Sequence, residues 1–192
     1  MSTRPTDAEL ARDFLDGRPG SRDALLERWV PQVLRWAIRL GGPGIHPEDV
    51  AQDVCIVIIR RLDDLRDLDR LSPWLYGVTR KVVSQHRRKA WRRRWMPGVA
   101  ADPVSTDSGP SQLAEATELG HAVHGLLAGL SLRHREVLVL CDLEERPAAE
   151  VADMLGIPLG TVKSRLRAAP DRFRSAAQGS EAVVAWTAEV SS

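Results

Sequence analysis

The 192-residue sequence has only two cysteines, one tyrosine, two phenylalanines and three methionines. The two cysteines, Cys55 and Cys141, stand far apart in apolar helical patterns, which argues against a disulfide framework and marks both as small core residues. No apolar run reaches the length of a membrane span, and the polar opening MSTRPTDAEL lacks the apolar stretch of a signal peptide. The expected location is therefore the cytoplasm, with no membrane partner. A further shortage is local: between Arg70 and Ala101 there is no Asp or Glu, although nine Lys/Arg and three tryptophans fall there. The stretch before it is the reverse, with Glu48, Asp49, Asp53, Asp63, Asp64, Asp67 and Asp69 set against Arg60, Arg61 and Arg66. The net charge of +1 hides this division. Segregated charge of this kind points to a polyanion on one face and a different partner on another.

What is present in quantity is helical periodicity. Leu25, Leu26, Trp29, Val30, Val33, Leu34, Ala37 and Ile38 recur at steps of three and four, with Pro31 predicting a kink or restart among them. GGPG at 41–44 is a turn. VCIVII at 54–59 is β-branched and by itself suits a strand. Yet Val50, Val54, Val57, Ile58, Leu62 and Leu65 keep helical spacing over more residues than a typical strand holds, so a helix is expected. Ser72-Pro73 reads as a helix start, a capping hydroxyl followed by proline at the first position. That helix should run through Val78, Val82 and Val83 into the arginine cluster.

MPGVAADPVSTDSGPS (96–111) has the composition of a flexible linker. A second helical block starts near Leu113, with Leu126, Leu127 and Leu130 leading to Ser131 as a cap for LRHREVLVLCDLEE. Two short helices follow, AAEVADML and LGTVKSRLRAA, the second interrupted by Pro170. The expected fold is all-α: a helical domain over 1–95 (core about 22–95), a linker over 96–112, a second helical domain over 113–176 and a tail over 177–192.

AAEVADMLGIPLGTVKSRLRAA has the spacing of a helix-turn-helix. Val151 and Leu155 lie one turn apart on the first helix, Val162 and Leu166 on the second, and Ile157 plugs the turn. Gly156 sits where a positive φ is needed, and Ala152 is small where the helices cross. The second helix presents Thr161, Lys163, Ser164, Arg165 and Arg167, hydroxyls and guanidiniums suited to phosphates and base edges in a major groove. An ordinary helical hairpin with a basic solvent face is the plainer alternative.

In the acid-free segment, Trp74 beside Leu75 and Val78 reads as core. Trp91 and Trp95 lie among Arg92, Arg93 and Arg94, and two readings stay open for them: stacking platforms for an unpaired nucleic acid, or packing at the domain edge.

Together these stretches resemble a bacterial sigma factor of the extracytoplasmic-function group. GIHPEDVAQDVCIVIIRRLDDL and SPWLYGVTRKVVSQHRRK are similar to successive helices of the family's region 2, and LSLRHREVLVLCDLEERPAAEVADMLGIPLGTVKSRLRAA to its region 4. The resemblance covers most of residues 23–169, in the family's order. It implies that Asp49, Gln52, Asp53 and Arg60 dock on the clamp helices of the RNA polymerase β′ subunit. It implies that Arg70, Ser72, Arg80, Lys81, His86, Arg87 and Arg88 hold the melted −10 strand of promoter DNA. It also implies that the helix-turn-helix reads the −35 duplex, with its flank against the β flap, and that an anti-sigma factor can regulate the chain. The family often has Asn where Lys81 stands and Asp where Gln85 stands, which implies different −10 contacts at these positions.

Two other classes of function compete with this reading. A helix-turn-helix regulator without polymerase contacts gives no role to the acidic helix or the basic tract. A metal enzyme would draw on His121, His124, His134 and Cys141, whose spacing matches no standard zinc set. No nucleophile–base pair, phosphate loop or paired carboxylates stand out, so neither a catalytic site nor a cofactor is expected.

Overall fold

In a computed structural model of the chain, residues 4–42, 44–95, 127 and 130–177 are described, with side chains as far as 93 and between 127 and 168. They form seven α-helices and, among the described residues, no strand. The helices are α1 (Asp7–Leu15), α2 (Ser21–Gly41), α3 (Pro47–Arg61), α4 (Leu71–Trp95), α5 (Leu132–Leu138), α6 (Ala148–Leu155) and α7 (Leu159–Ala177). Short 3-10 turns at Leu62–Asp64 and Leu68–Arg70 join α3 to α4, and a π turn at Val139–Leu143 extends α5. The all-α expectation holds. The expected linker, the start near Leu113, Leu126, the two histidines His121 and His124, and the tail beyond 177 lie outside the described residues.

Helices α2, α3 and α4 pack on one another, with α1 laid against α2. Their apolar faces interlock: Leu25, Val33, Leu40, Val54, Ile58 and Leu75 are all buried. Burying one such side chain contributes roughly 1.5–3 kcal/mol. At the centre, Trp36 meets Tyr76 edge to face with ring centroids 5.2 Å apart, and Trp29 lies 6.2 Å away on its other side. The β-branched 54–59 run is helical, as its spacing required.

Four local expectations are corrected. Pro31 does not restart a helix: α2 spans Ser21–Gly41 with Pro31 inside it. An internal proline costs about 3 kcal/mol, but buried residues on both sides (Leu25 and Trp29 before it, Val33 and Trp36 after it) hold the helix together across the missing bond. Pro170 likewise lies within the helical backbone of α7. Ser72 is not a cap: α4 begins at Leu71, directly from the preceding 3-10 turn, with Pro73 still inside the first turn where no intrahelical N–H is required. At α5, Ser131 does hold the N-cap backbone position, but its hydroxyl bonds His134 Nδ1 at 2.6 Å instead of a backbone N–H.

One element was unexpected. Helix α1 opens with a complete capping box, Thr6 Oγ1 accepting from Glu9 N at 3.2 Å while Glu9 accepts from Thr6 N at 2.7 Å. Arg28 on α2 pairs with Asp7 at 2.9 Å and ties α1 down.

Helices α5–α7 form a second packed group that rests on the first: α6 lies along α4, and α5 touches α2.

Candidate nucleic-acid interface

The helix-turn-helix is built by its turn. Gly156 takes the left-handed conformation (φ 63°, ψ 37°), and Ile157 N donates to Ala152 O at 3.1 Å, closing a Schellman cap on α6. Pro158 O then accepts from Thr161 N at 2.8 Å and Val162 N at 3.2 Å, starting α7. Val151, Ala152, Met154 and Val162 are buried between the two helices, which leaves Lys163, Ser164 and Arg167 exposed and Thr161 and Arg165 half-buried. The Ser164 hydroxyl donates to Thr161 O at 3.0 Å, keeping its acceptor lone pairs outward. Arg165 turns partly inward, close enough for its charge to act on Glu136.

On α4 the acid-free run divides into two faces. Leu75, Thr79, Val82 and Val83 point into the core, while Gly77, Lys81, Gln85, Arg88 and Arg92 lie exposed at helical spacing on the other side. Of the predicted −10 residues, Arg70, Arg80, Lys81 and Arg88 are exposed, Arg70 on the 3-10 turn before the helix. Arg80 and the other three also make contacts within the chain. Arg87 donates to Leu40 O at 3.2 Å and Gly41 O at 3.3 Å, securing α4 to the carbonyl end of α2. His86 lies 2.7 Å from Asp53 Oδ2. Arg80 pairs with Glu136 of α5, and the Ser72 hydroxyl accepts from Arg146 at 3.5 Å. Trp74 is half-buried against the core, whereas Trp91 is 61% exposed among arginines. The side chain of Trp95 lies outside the described residues.

On α3 the predicted polymerase residues Asp49, Gln52, Asp53 and Arg60 are all exposed and fall on one face. In their midst stands Ile56, 45% exposed. Beside it an open groove of about 480 Å³ is walled by Val30, Leu34, Ala51, Cys55 and Ile56 and rimmed by Glu48 and Gln52. Partial burial pushes the Cys55 thiol above its usual range, so it stays protonated and apolar. Sequence reasoning missed this groove. The signal was available: VCIVII is apolar at every position, and a helix buries only one side.

Among the described residues no group of three or more His, Cys, Asp or Glu is placed to hold a metal ion. Nor, among them, is any helix long and apolar enough to cross a membrane.

The two helical groups match two parts of one family. Residues 25–93 match Sigma-70 region 2, and residues 126–175 match Sigma-70, region 4. The chain is 32% identical over 164 residues to the ECF RNA polymerase sigma factor SigD of Mycobacterium tuberculosis, an alignment covering 81% of this chain and 77% of the relative. It is 28% identical over 156 residues to SigE of Mycolicibacterium smegmatis, covering 80% of this chain and 60% of that longer protein. Among solved structures it is similar to CnrH in complex with the cytosolic domain of CnrY, with a TM-score of 0.65, 22% identity and coverage of 91% of this chain and 99% of that one. It is similar too to RpoE in complex with the anti-sigma factor NepR from Bartonella quintana, with a TM-score of 0.62, 22% identity and coverage of 84% and 99%. At that identity these two likenesses speak for the fold alone. The chain belongs to the sigma-70 family, in its extracytoplasmic-function (ECF) group of RNA polymerase sigma factors.

Proposed function

We propose that the chain binds the RNA polymerase core in the cytoplasm, brings it to promoters carrying particular −35 and −10 elements, and helps melt the DNA there. The observation that carries this reading is the division of one small helical group into two surfaces. One is an acidic, grooved α3 face, and the other is the acid-free α4 face. A helix-turn-helix follows on the same chain.

The α3 face suits a protein partner. Ile56 and the groove supply apolar contact, while Asp49, Gln52, Asp53 and Arg60 frame it with charge that fixes orientation, the arrangement expected of a docking site for the β′ clamp helices. The α7 face suits duplex DNA, with Lys163, Arg165 and Arg167 for phosphates or guanine edges and Thr161 and Ser164 for positioning. The α4 face suits an unpaired strand. Arg70, Lys81 and Arg88 neutralise phosphates, joined by Ser72, Arg80, His86 and Arg87 where their internal contacts yield. The exposed ring of Trp91 offers a stacking surface. Each base stacked on an aromatic contributes about 1–3 kcal/mol. Binding unpaired bases better than paired ones supplies part of the free energy of melting. No covalent step is involved, so the function is one of binding and positioning. An anti-sigma factor that covers the α3 face would regulate it by competition.

Transcription in vitro with core polymerase and a library of genomic fragments tests the reading. Addition of the protein should create new start sites that share upstream elements. A competent core that gains none overturns it.

A further inference from the structure

Glu144 lies in the turn between the π extension of α5 and helix α6, far in sequence from the helices it touches. Its Oε1 accepts from Trp36 Nε1 at 2.7 Å, Gln32 Nε2 at 3.1 Å and Arg39 Nη1 at 3.3 Å, all three on α2. Its Oε2 accepts from Arg146 Nε at 3.2 Å. Three donors from the region 2 half thus converge on one carboxylate oxygen from the region 4 half. Further polar contacts cross the same seam. Fully buried Arg135 donates to Leu40 O at 2.6 Å, and fully buried Glu136 pairs with Arg80.

The corner that carries Glu144 is shaped for the contact. The π turn at Val139–Leu143 ends with Glu144 N bonded to Val139 O, five residues back. The next residue, Glu145, has φ 54°, the only positive φ outside glycine among the described residues. Uncommon backbone of both kinds persists where the surroundings hold it, and it recurs at functional positions.

We propose that Glu144 is an intramolecular latch. Seated in the Gln32–Trp36–Arg39 carboxylate site, it holds the helix-turn-helix group against α2 and α4 in a self-closed state that covers part of the strand-binding face. In this state Glu136 takes the place of a DNA phosphate on Arg80, and Arg146 occupies Ser72. Release of Glu144 opens the seam and frees Arg80, already 45% exposed, and Ser72 from these partners. The masking half of this proposal rests on the reading of α4 as the −10 strand site; the latch itself does not.

Apolar side chains of both groups join in one cluster across the seam, but the seam also encloses charge, and that enclosed charge favours opening. Burial pulls the Arg135 guanidinium down to about 10, with the charge of Arg87 adding to the effect, and burial pushes the Glu136 carboxyl up. Both groups would therefore gain from water, and their discomfort when enclosed offsets part of what Glu144 contributes.

The test uses the full-length protein. Small-angle scattering should show a larger radius of gyration for Glu144→Lys and for Arg39→Glu, which attack one contact from its two sides. Both single variants should keep the helical circular dichroism spectrum of the wild type, showing that they are folded but open. Both open variants should bind a fluorescent single-stranded −10 oligonucleotide about tenfold more tightly at fixed salt, within the usual range of coupling between sites. An unchanged radius in both single variants, or expansion that comes with loss of helical signal, overturns the latch. Expansion with unchanged strand affinity overturns the masking. If Lys81→Ala/Arg88→Ala also leaves strand affinity unaltered, the failure lies in the reading of α4 and not in the latch.

Discussion

Two seams run through this molecule, and they are made differently. Where α2, α3 and α4 meet, the contact is Leu25, Val33, Val54, Ile58 and Leu75 with aromatic Trp36 and Tyr76 at its centre. Where the helix-turn-helix group meets α2 and α4, apolar packing is joined by charged contacts: Glu144 with its donors, Arg135 on a backbone carbonyl, and Glu136 with Arg80. Apolar contact is non-directional and has no charge to titrate; a charged contact must match every partner and responds to pH and to screening by salt. The first behaves as a core. The second behaves as a joint.

The comparison can be broken most severely from the apolar side. Leu75→Ala should destabilise the protein by about 2–5 kcal/mol through lost burial and an unfilled cavity. Urea unfolding followed by circular dichroism measures this, and a change below 1 kcal/mol would show that the three-helix packing does not dominate stability. Ile56→Asp should behave in the opposite way. Since Ile56 is already 45% exposed, the unfolding midpoint should barely move, while affinity for the polymerase core should fall on the order of 30-fold, the loss of a typical interface hot spot. Surface plasmon resonance against immobilised core reads both affinity and rate.

A smaller effect separates the two DNA faces. Arg167→Ala should weaken binding of −35 duplex and reduce the slope of log K against log salt by about 1, with no change in single-strand binding. Equal losses on duplex and single strand would remove the division of labour between α7 and α4.

The smallest effect sharpens the seam itself. Burial raises the Glu136 carboxyl above its ordinary 4.5, so the closed fold binds this proton more tightly than an open or unfolded chain does. Its contribution to stability is complete below the ordinary value and is lost as pH rises through the raised one. Between the two, thermal stability should decline with rising pH in the wild type, and Glu136→Gln should flatten that decline. A decline of the same size in Glu136→Gln would assign it to another group.

Much of this was legible before any coordinates. The helical nature of 54–59, the positive φ of Gly156 and the exposed face of α7 follow from spacing and from glycine chemistry. The capping box Thr6–Glu9 was equally legible as T-x-x-E, and with Leu10, Ala11 and Phe14 at helical spacing behind it α1 could have been read. Pro31 misled because a local rule counts the lost hydrogen bond, and tertiary packing around α2 outweighs it. The charged seam was not legible at all. Glu144 and Trp36 are 108 residues apart, no periodicity links them, and a carboxylate in an apparent surface turn gives no hint that an indole N–H will find it.

Arg87 adds one mechanical consequence. By gripping the last carbonyls of α2, it makes the basic helix and the helix carrying the Glu144 site one rigid lever. Both ends of the joint also belong to a single chain. The latch therefore competes with polymerase and DNA at a local concentration set by the tether and not by how much protein the cell makes. Raising expression multiplies the number of closed molecules and open molecules alike, and leaves their ratio untouched. Only a ligand that prefers one form can shift it.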